Sequence, residues 1–120
     1  MNSDADQRPG REGLQVVPET MPSETRQREL LEIGRRLKAV RHLTGLSEKD
    51  FAARYATSQA TWHRMENGKK ATLDAALLAE VCRGETVSLL WVVYGTKPRE
   101  GSLTARAEAL LSDALVPAAA

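Results

Sequence analysis

The stretch "LSEKDFAARYATSQATWHRMENGKK", Leu46 to Lys70, constrains the fold most, because it holds two helix starts with only ten residues between them. Ser47 and Ser58 each read as an N-cap, a position where a serine hydroxyl satisfies a backbone N–H of the first turn that has no partner inside the helix. Asp50 follows Ser47 by three residues, as in a capping box, and Leu46 is placed to staple onto Phe51. "ATS" breaks this first helix, whose inward residues are Phe51, Ala52 and Tyr55. The second helix turns Trp62 and Met65 inward and stops at Asn67-Gly68. Helices this short are marginal alone. They must brace each other and rest on something larger.

The flanking sequence supplies that support. Leu30, Ile33, Leu37 and Val40 recur at spacings of three, four and three, one apolar stripe of a helix that begins near Ser23. Gly34 lies within the stripe, where it costs roughly 1 kcal/mol relative to Ala, and a glycine on a buried face lets another helix approach. Gly45 fits the left-handed stop. Beyond the central pair, Thr72 is the expected cap of "LDAALLAEVC", apolar almost all round and expected to be central, with "RGET" as a loop. "VSLLWVVYG" carries a β-branched run that could form a strand. Ser88 as cap, Gly95 as stop and Val87 stapling onto Val92 favour a helix. Leu103, Ala107, Leu110, Leu111 and Ala114 then share one face of a candidate sixth, amphipathic helix. Residues 1–22 hold three prolines and many charges without periodicity, and read as a disordered arm. The expected organisation is thus an arm (1–22), an all-α domain (23–96) and a C-terminal extension (97–120).

The net charge of +1 conceals a division. Residues 33–70 hold nine Lys and Arg against three acidic residues, or +6, whereas residues 1–32 carry −3 and residues 71–120 carry −2. A concentrated basic centre is the footprint of a polyanion binder. Val87 to Tyr94 is too short to cross a bilayer and the N-terminus lacks the apolar core of a signal peptide, so a cytoplasmic protein is expected. Cys82 is the sole cysteine, and with His42 and His63 it offers no zinc-ligand spacing. No glycine-rich phosphate loop or nucleophile–base pair is present either. The expectation is no catalytic residue, no metal, no cofactor and no enzyme.

Two short helices joined by a three- or four-residue turn make a helix-turn-helix, whose protruding second helix suits the major groove of DNA. The ordered set Ile33, Leu37, Arg41, Gly45-Leu46-Ser47, Phe51-Ala52, Ser58, Thr61, Arg64 and "MENGK" from Met65 resembles the phage repressor and Cro-type family. "VSLLWVVYGT" resembles the closing segment of that family, so the resemblance spans about residues 30–96. It implies a five-helix lambda-repressor-like domain, here with a candidate extra C-terminal helix. It also implies that Gln59, Ala60, His63 and Arg64 face base edges. Ser58, Thr61, Asn67, Lys69 and Lys70 would contact phosphates, and Trp62 would belong to the core. Arg41 and Glu66 are the pair that ties the first helix to the end of the third in that family; taken as an exposed ion pair, it is worth at most about 1 kcal/mol.

Three positions depart from the pattern. Ala56 stands in the turn where the family usually has Gly, at a cost of roughly 1 kcal/mol if left-handed. Glu48 replaces a phosphate-contacting Gln at the start of the second helix, and a carboxylate there repels a phosphate. "VCRGETVS" is longer than the usual connection. The resemblance implies a sequence-specific regulator of transcription that binds double-stranded DNA, most simply a repressor acting as a homodimer. Its expected dimer surface is the fifth helix, supplemented by Ser102 to Leu115. The alternative is an antitoxin-like or adaptor protein whose acidic flanks or C-terminal helix bind another protein.

Overall fold

The computed structural model describes residues 23–70 and 72–112. The expected arm and Ala114 lie outside them. Six helices and no strand occur among the described residues: α1 (Glu24–Thr44), α2 (Glu48–Arg54), α3 (Gln59–Glu66), α4 (Ala75–Glu85), α5 (Leu89–Tyr94) and α6 (Leu103–Leu110). None is long and apolar enough to cross a membrane.

Local chemistry sets most of the ends. Ser23, Ser47, Ser58, Ser88 and Ser102 each accept a bond from the backbone N–H three residues on. Gly45 and Gly95 stop α1 and α5 with φ of 75° and 74°. The segment 89–94 is therefore a helix despite its valines. The cap of α4 differs from expectation. Asp74, not Thr72, caps it, with Oδ1 accepting from the N–H groups of Ala76 and Leu77 at 2.9 and 3.2 Å.

Nor is "RGET" a loop. α4 continues through Glu85, and only Thr86, left-handed at φ 59°, makes the turn. Gly84 is helical, and the ring of Tyr55 lies across it; a Cβ there would stand 3.1 Å from Tyr55 Cε1. Tyr55 then donates from its hydroxyl to Glu85 Oε2 at 2.5 Å, and Arg54 Nη1 bonds the same oxygen at 2.8 Å. The end of α2 is thereby clamped to the end of α4. α4 is also less central than its composition suggests. Leu78, Val81 and Cys82 are buried, while Ala75, Ala76, Glu80 and Arg83 face outward.

Trp62, Trp91, Phe51, Leu37, Met65, Val40, Val81 and Val92 form the fully buried centre. Each large side chain contributes about 1.5–3 kcal/mol on burial. Phe51 packs its ring 4.8 Å from that of Trp62 and 5.2 Å from that of Tyr55, centroid to centroid, in tilted arrangements. α1 meets α3 where Gly34 lies: an added Cβ would collide with the backbone oxygens of Met65 and Glu66. That is the close approach expected of a glycine inside an apolar stripe.

α1 also has a second buried face, which the stripe did not reveal. α6 packs on α1. Arg35 donates to the Leu111 carbonyl at 3.2 Å, and Ala39, one turn on, is fully buried. α6 keeps Ala107, Leu110 and Leu111 on the expected inward side but departs from expectation at its first turn. Thr104 and Ala107 point inward, Leu110 and Leu111 are half-buried, and Leu103 is exposed. Thr104 turns in because its Oγ1 accepts from the N–H of Ser88 at 2.9 Å, tying α6 to the first turn of α5. Its inward face is thus occupied by the same chain.

Candidate nucleic-acid interface

The turn between α2 and α3 is Tyr55-Ala56-Thr57. Ala56 is left-handed, with φ 55°, a conformation that costs an L-residue with a Cβ about 1–2 kcal/mol. The strain is held by the chain on both sides. Tyr55 N–H and Thr57 N–H both donate to the Ala52 carbonyl, at 3.1 and 3.0 Å, and Ala56 N–H donates to Ala53 at 3.2 Å. Ala52 itself is buried, and its small side chain lets α2 and α3 come together.

Ser58 opens α3 by accepting from Thr61 N–H at 3.0 Å, and its own hydroxyl donates to Thr61 Oγ1 at 2.9 Å. α3 then divides cleanly. Trp62, Met65 and Glu66 are buried, while Gln59, Ala60, His63 and Arg64 are exposed along one strip, with Thr61 half-buried at its edge. Asn67 uses its side-chain amide to bond the His63 carbonyl at 2.8 Å, and Lys69 N–H bonds the Arg64 carbonyl at 2.8 Å. Gly68, left-handed at φ 67°, lies against Leu31 of α1. Lys69 is exposed and Lys70 half-buried beyond the helix end. The nine candidate residues therefore lie together on or beside α3. Gln27 and Arg28 of α1 border the same groove as Asn67 and Lys69, an adjacency that the 38 residues between Arg28 and Asn67 kept out of view in the sequence.

Beneath this strip is a polar network. Arg41 binds Glu66 with two nitrogens, Nε to Oε2 at 2.7 Å and Nη2 to Oε1 at 3.1 Å, and donates from Nη1 to the Leu46 carbonyl at 2.9 Å. Trp62 Nε1 donates to Glu66 Oε2 at 2.6 Å. The pair is not an exposed one. The Glu66 side chain is wholly buried and that of Arg41 is 12% exposed, so neither charge has water to fall back on. Burial pushes the Glu66 carboxyl up, against the pull of Arg41 and Trp62, while the bond to Glu66 raises Arg41. Removing one partner from such a pair costs about 3–5 kcal/mol. Trp62 is the core residue expected, and it also buttresses Glu66. The spacing of four between them, one helical turn, was the available signal.

Glu48 does not stand alone at the start of α2. Both of its oxygens lie 3.1 Å from His63 Nδ1, and Arg41 Nη2 is 4.0 Å away. Burial works against its charge, but His63, Glu66 and Arg41 outweigh that and hold the carboxyl below its ordinary range. Elsewhere, Cys82 is buried and its thiol is pushed up to about 11 by burial, which leaves little thiolate near neutral pH. Among the described residues no group of three or more His, Cys, Asp or Glu is placed to hold a metal.

A family model described as a helix-turn-helix domain matches residues 32–100, more than half of the chain. No curated protein and no solved structure matches the chain.

Proposed function

Because this chain belongs to the helix-turn-helix domain family, we propose that it is a sequence-specific DNA-binding regulator of transcription of the phage repressor and Cro type. It acts as a repressor by occupying a twofold-symmetric operator as a homodimer. The observation that carries this reading is the division of α3, with Trp62, Met65 and Glu66 anchored below and Gln59, Ala60, His63 and Arg64 offered above. A helix about 10–12 Å across with its side chains fits a major groove about 12 Å wide.

Within that groove, Arg64 is suited to the O6 and N7 of guanine and Gln59 to the N6 and N7 of adenine. Ala60 offers a methyl to a thymine methyl. Ser58, Thr61, Asn67, Lys69 and Lys70 set position on the phosphates. One α3 reads few base pairs, so pairing two copies supplies affinity and symmetry, with recognition helices about 34 Å apart. Leu89, Leu90 and Tyr94 of α5, exposed by 42, 57 and 74%, form the apolar surface for that pairing. The alternative is an antitoxin-like or adaptor protein that binds another protein through its acidic flanks or C-terminal helix; a stable heteromeric complex on purification would favour it.

The test is selection of bound sequences from random duplex at two salt concentrations. Recovery of a twofold-symmetric site, with affinity falling steeply as salt rises, is the expected result. Equal binding to all sequences would overturn the proposal.

A further inference from the structure

A carboxylate at the first helical position of α2 suits the helix dipole but opposes a phosphate, so Glu48 needs another account. The geometry supplies one. Glu48 is charged and can only accept hydrogen bonds. With both of its oxygens 3.1 Å from His63 Nδ1, it requires that nitrogen to carry a proton. The outward nitrogen, Nε2, is then the variable one. It bears a lone pair in the neutral ring and a proton in the imidazolium.

The surroundings of the ring are few and identifiable. His63 is 58% exposed at its side chain, Glu48 only 20%. Asn67 Nδ2 lies 3.5 Å from both ring nitrogens, but its firmer bond goes to the His63 carbonyl at 2.8 Å. The charged groups of the network are Glu48 from α2, Arg41 from α1 behind it, and Glu66 of α3 beneath Arg41. Arg64 is the neighbouring cation on the exposed strip.

We propose that Glu48 is the positioning residue for His63 in reading DNA, holding Nδ1–H inward so that Nε2 meets one base as an acceptor when the ring is neutral and as a donor when it is protonated. The inference rests on the DNA-binding reading above. A donor at that point can meet the N7 or O6 of guanine, the O4 of thymine or the N7 of adenine, whereas an acceptor can meet only the exocyclic amine of cytosine or adenine. One base pair in each half-site is consequently read differently by the neutral ring and by the imidazolium, while the contacts of Gln59 and Arg64 keep their sense.

The experiment is selection from random duplex with the full chain at pH 6 and pH 8, using wild type, Glu48→Gln and His63→Ala. Wild type is expected to return the same half-site at both pH values except at one position. There guanine or thymine at pH 6 gives way to cytosine or adenine at pH 8, with discrimination of about fivefold, the low end for a specific base contact. Gln accepts or donates equally well, so in Glu48→Gln the neutral ring can present Nε2 either way, and the pH-dependent change at that position alone should be largely lost. His63→Ala should remove the preference there at both pH values. Unfolding curves for both variants check that the domain remains folded.

Retention of the pH-dependent change in Glu48→Gln, with affinity raised evenly for all sequences, would overturn the inference and leave Glu48 as a phosphate-repelling group only. So would changes at different positions in the two variants. Wild type without any sequence preference would instead remove the DNA-binding reading, and this inference with it.

Discussion

α3 and α5 are built alike and finished differently. Each is a single short helix capped by a serine, Ser58 or Ser88, and each sinks a fully buried tryptophan, Trp62 or Trp91, into the common core. Outside, α3 shows Gln59, His63 and Arg64, whereas α5 shows Leu89, Leu90 and Tyr94. The anchoring follows the same division. Trp62 joins a buried ion pair through Nε1, while α5 is held by the bond from Arg36 Nη1 to the Val92 carbonyl at 3.0 Å. One scaffold thus presents a polar strip suited to a hydrated, charged groove and an apolar strip suited to a protein surface. Neither outer face contributes to the core, so the core places no demand on the residues there.

The strongest way to break the comparison is from beneath. Trp62→Ala and Trp91→Ala should each destabilise the domain by about 3–5 kcal/mol, measured by urea unfolding. Trp62→Ala should be the worse of the two, because it also leaves the buried Glu66 without one of its donors. Equal losses would mean that the bond to Glu66 adds nothing to the packing.

Alkaline pH probes the supports of the two helices separately. Tyr55 stands in the turn leading to α3 and is pushed up to about 12, by burial first and by its bond to Glu85 second. Cys82 lies on α4, which packs on α5, and is raised to about 11 by burial. Both fold best with their protons on. Their contributions are complete below the ordinary values, about 9 for the thiol and 10 for the phenol, and are lost as pH rises through the folded values. Stability should therefore be level from neutral to about pH 9 and fall beyond it. Cys82→Ala should flatten the earlier part of the decline and Tyr55→Phe the later part; an unchanged slope in either variant would remove that group from the account.

The outer faces should respond without the core. Arg64→Ala is expected to lose about 1–3 kcal/mol of discrimination at one base position and little stability. Leu90→Glu with Tyr94→Glu should leave the unfolding free energy of the monomer nearly unchanged while lowering the mass of the particle in solution. If Arg64→Ala weakened all sequences evenly, it would be a phosphate contact instead. The smallest effect is at the turn. Ala56→Gly should stabilise by about 1 kcal/mol by relieving the left-handed Cβ strain, seen as a higher denaturation midpoint with DNA binding intact.

Much of this architecture could be read before folding. Ser47, Ser58 and Ser88 announce helix starts because a cap and its partner are three residues apart, and Gly45 and Gly95 announce stops because a positive φ is a property of one residue. The buried side of α3 was legible from the spacing of Trp62 and Met65, and its exposed strip from the resemblance. Where two local signals competed, the reading failed. Thr72 and Asp74 are both good caps, and Gly84 looks like a breaker yet is helical. Only the first turn of α6 was misread, because Leu103 is the more apolar residue, yet Thr104 has the partner.

The sequence by itself therefore determined that the described residues are all-helical, where most of their helices begin and end, and which side of α3 is buried. Tertiary structure decided what each polar group is for. Arg41 and Glu66 are 25 residues apart, Glu48 and His63 are 15 apart, and Tyr55 and Glu85 are 30 apart. No local rule relates such residues, because whether they meet depends on how the helices pack. Burial then sets how strongly they interact, since a charge out of water must find its partner or lose its charge. Glu48, a misplaced carboxylate when taken alone, became half of a pair with His63 only when α2 was laid against α3.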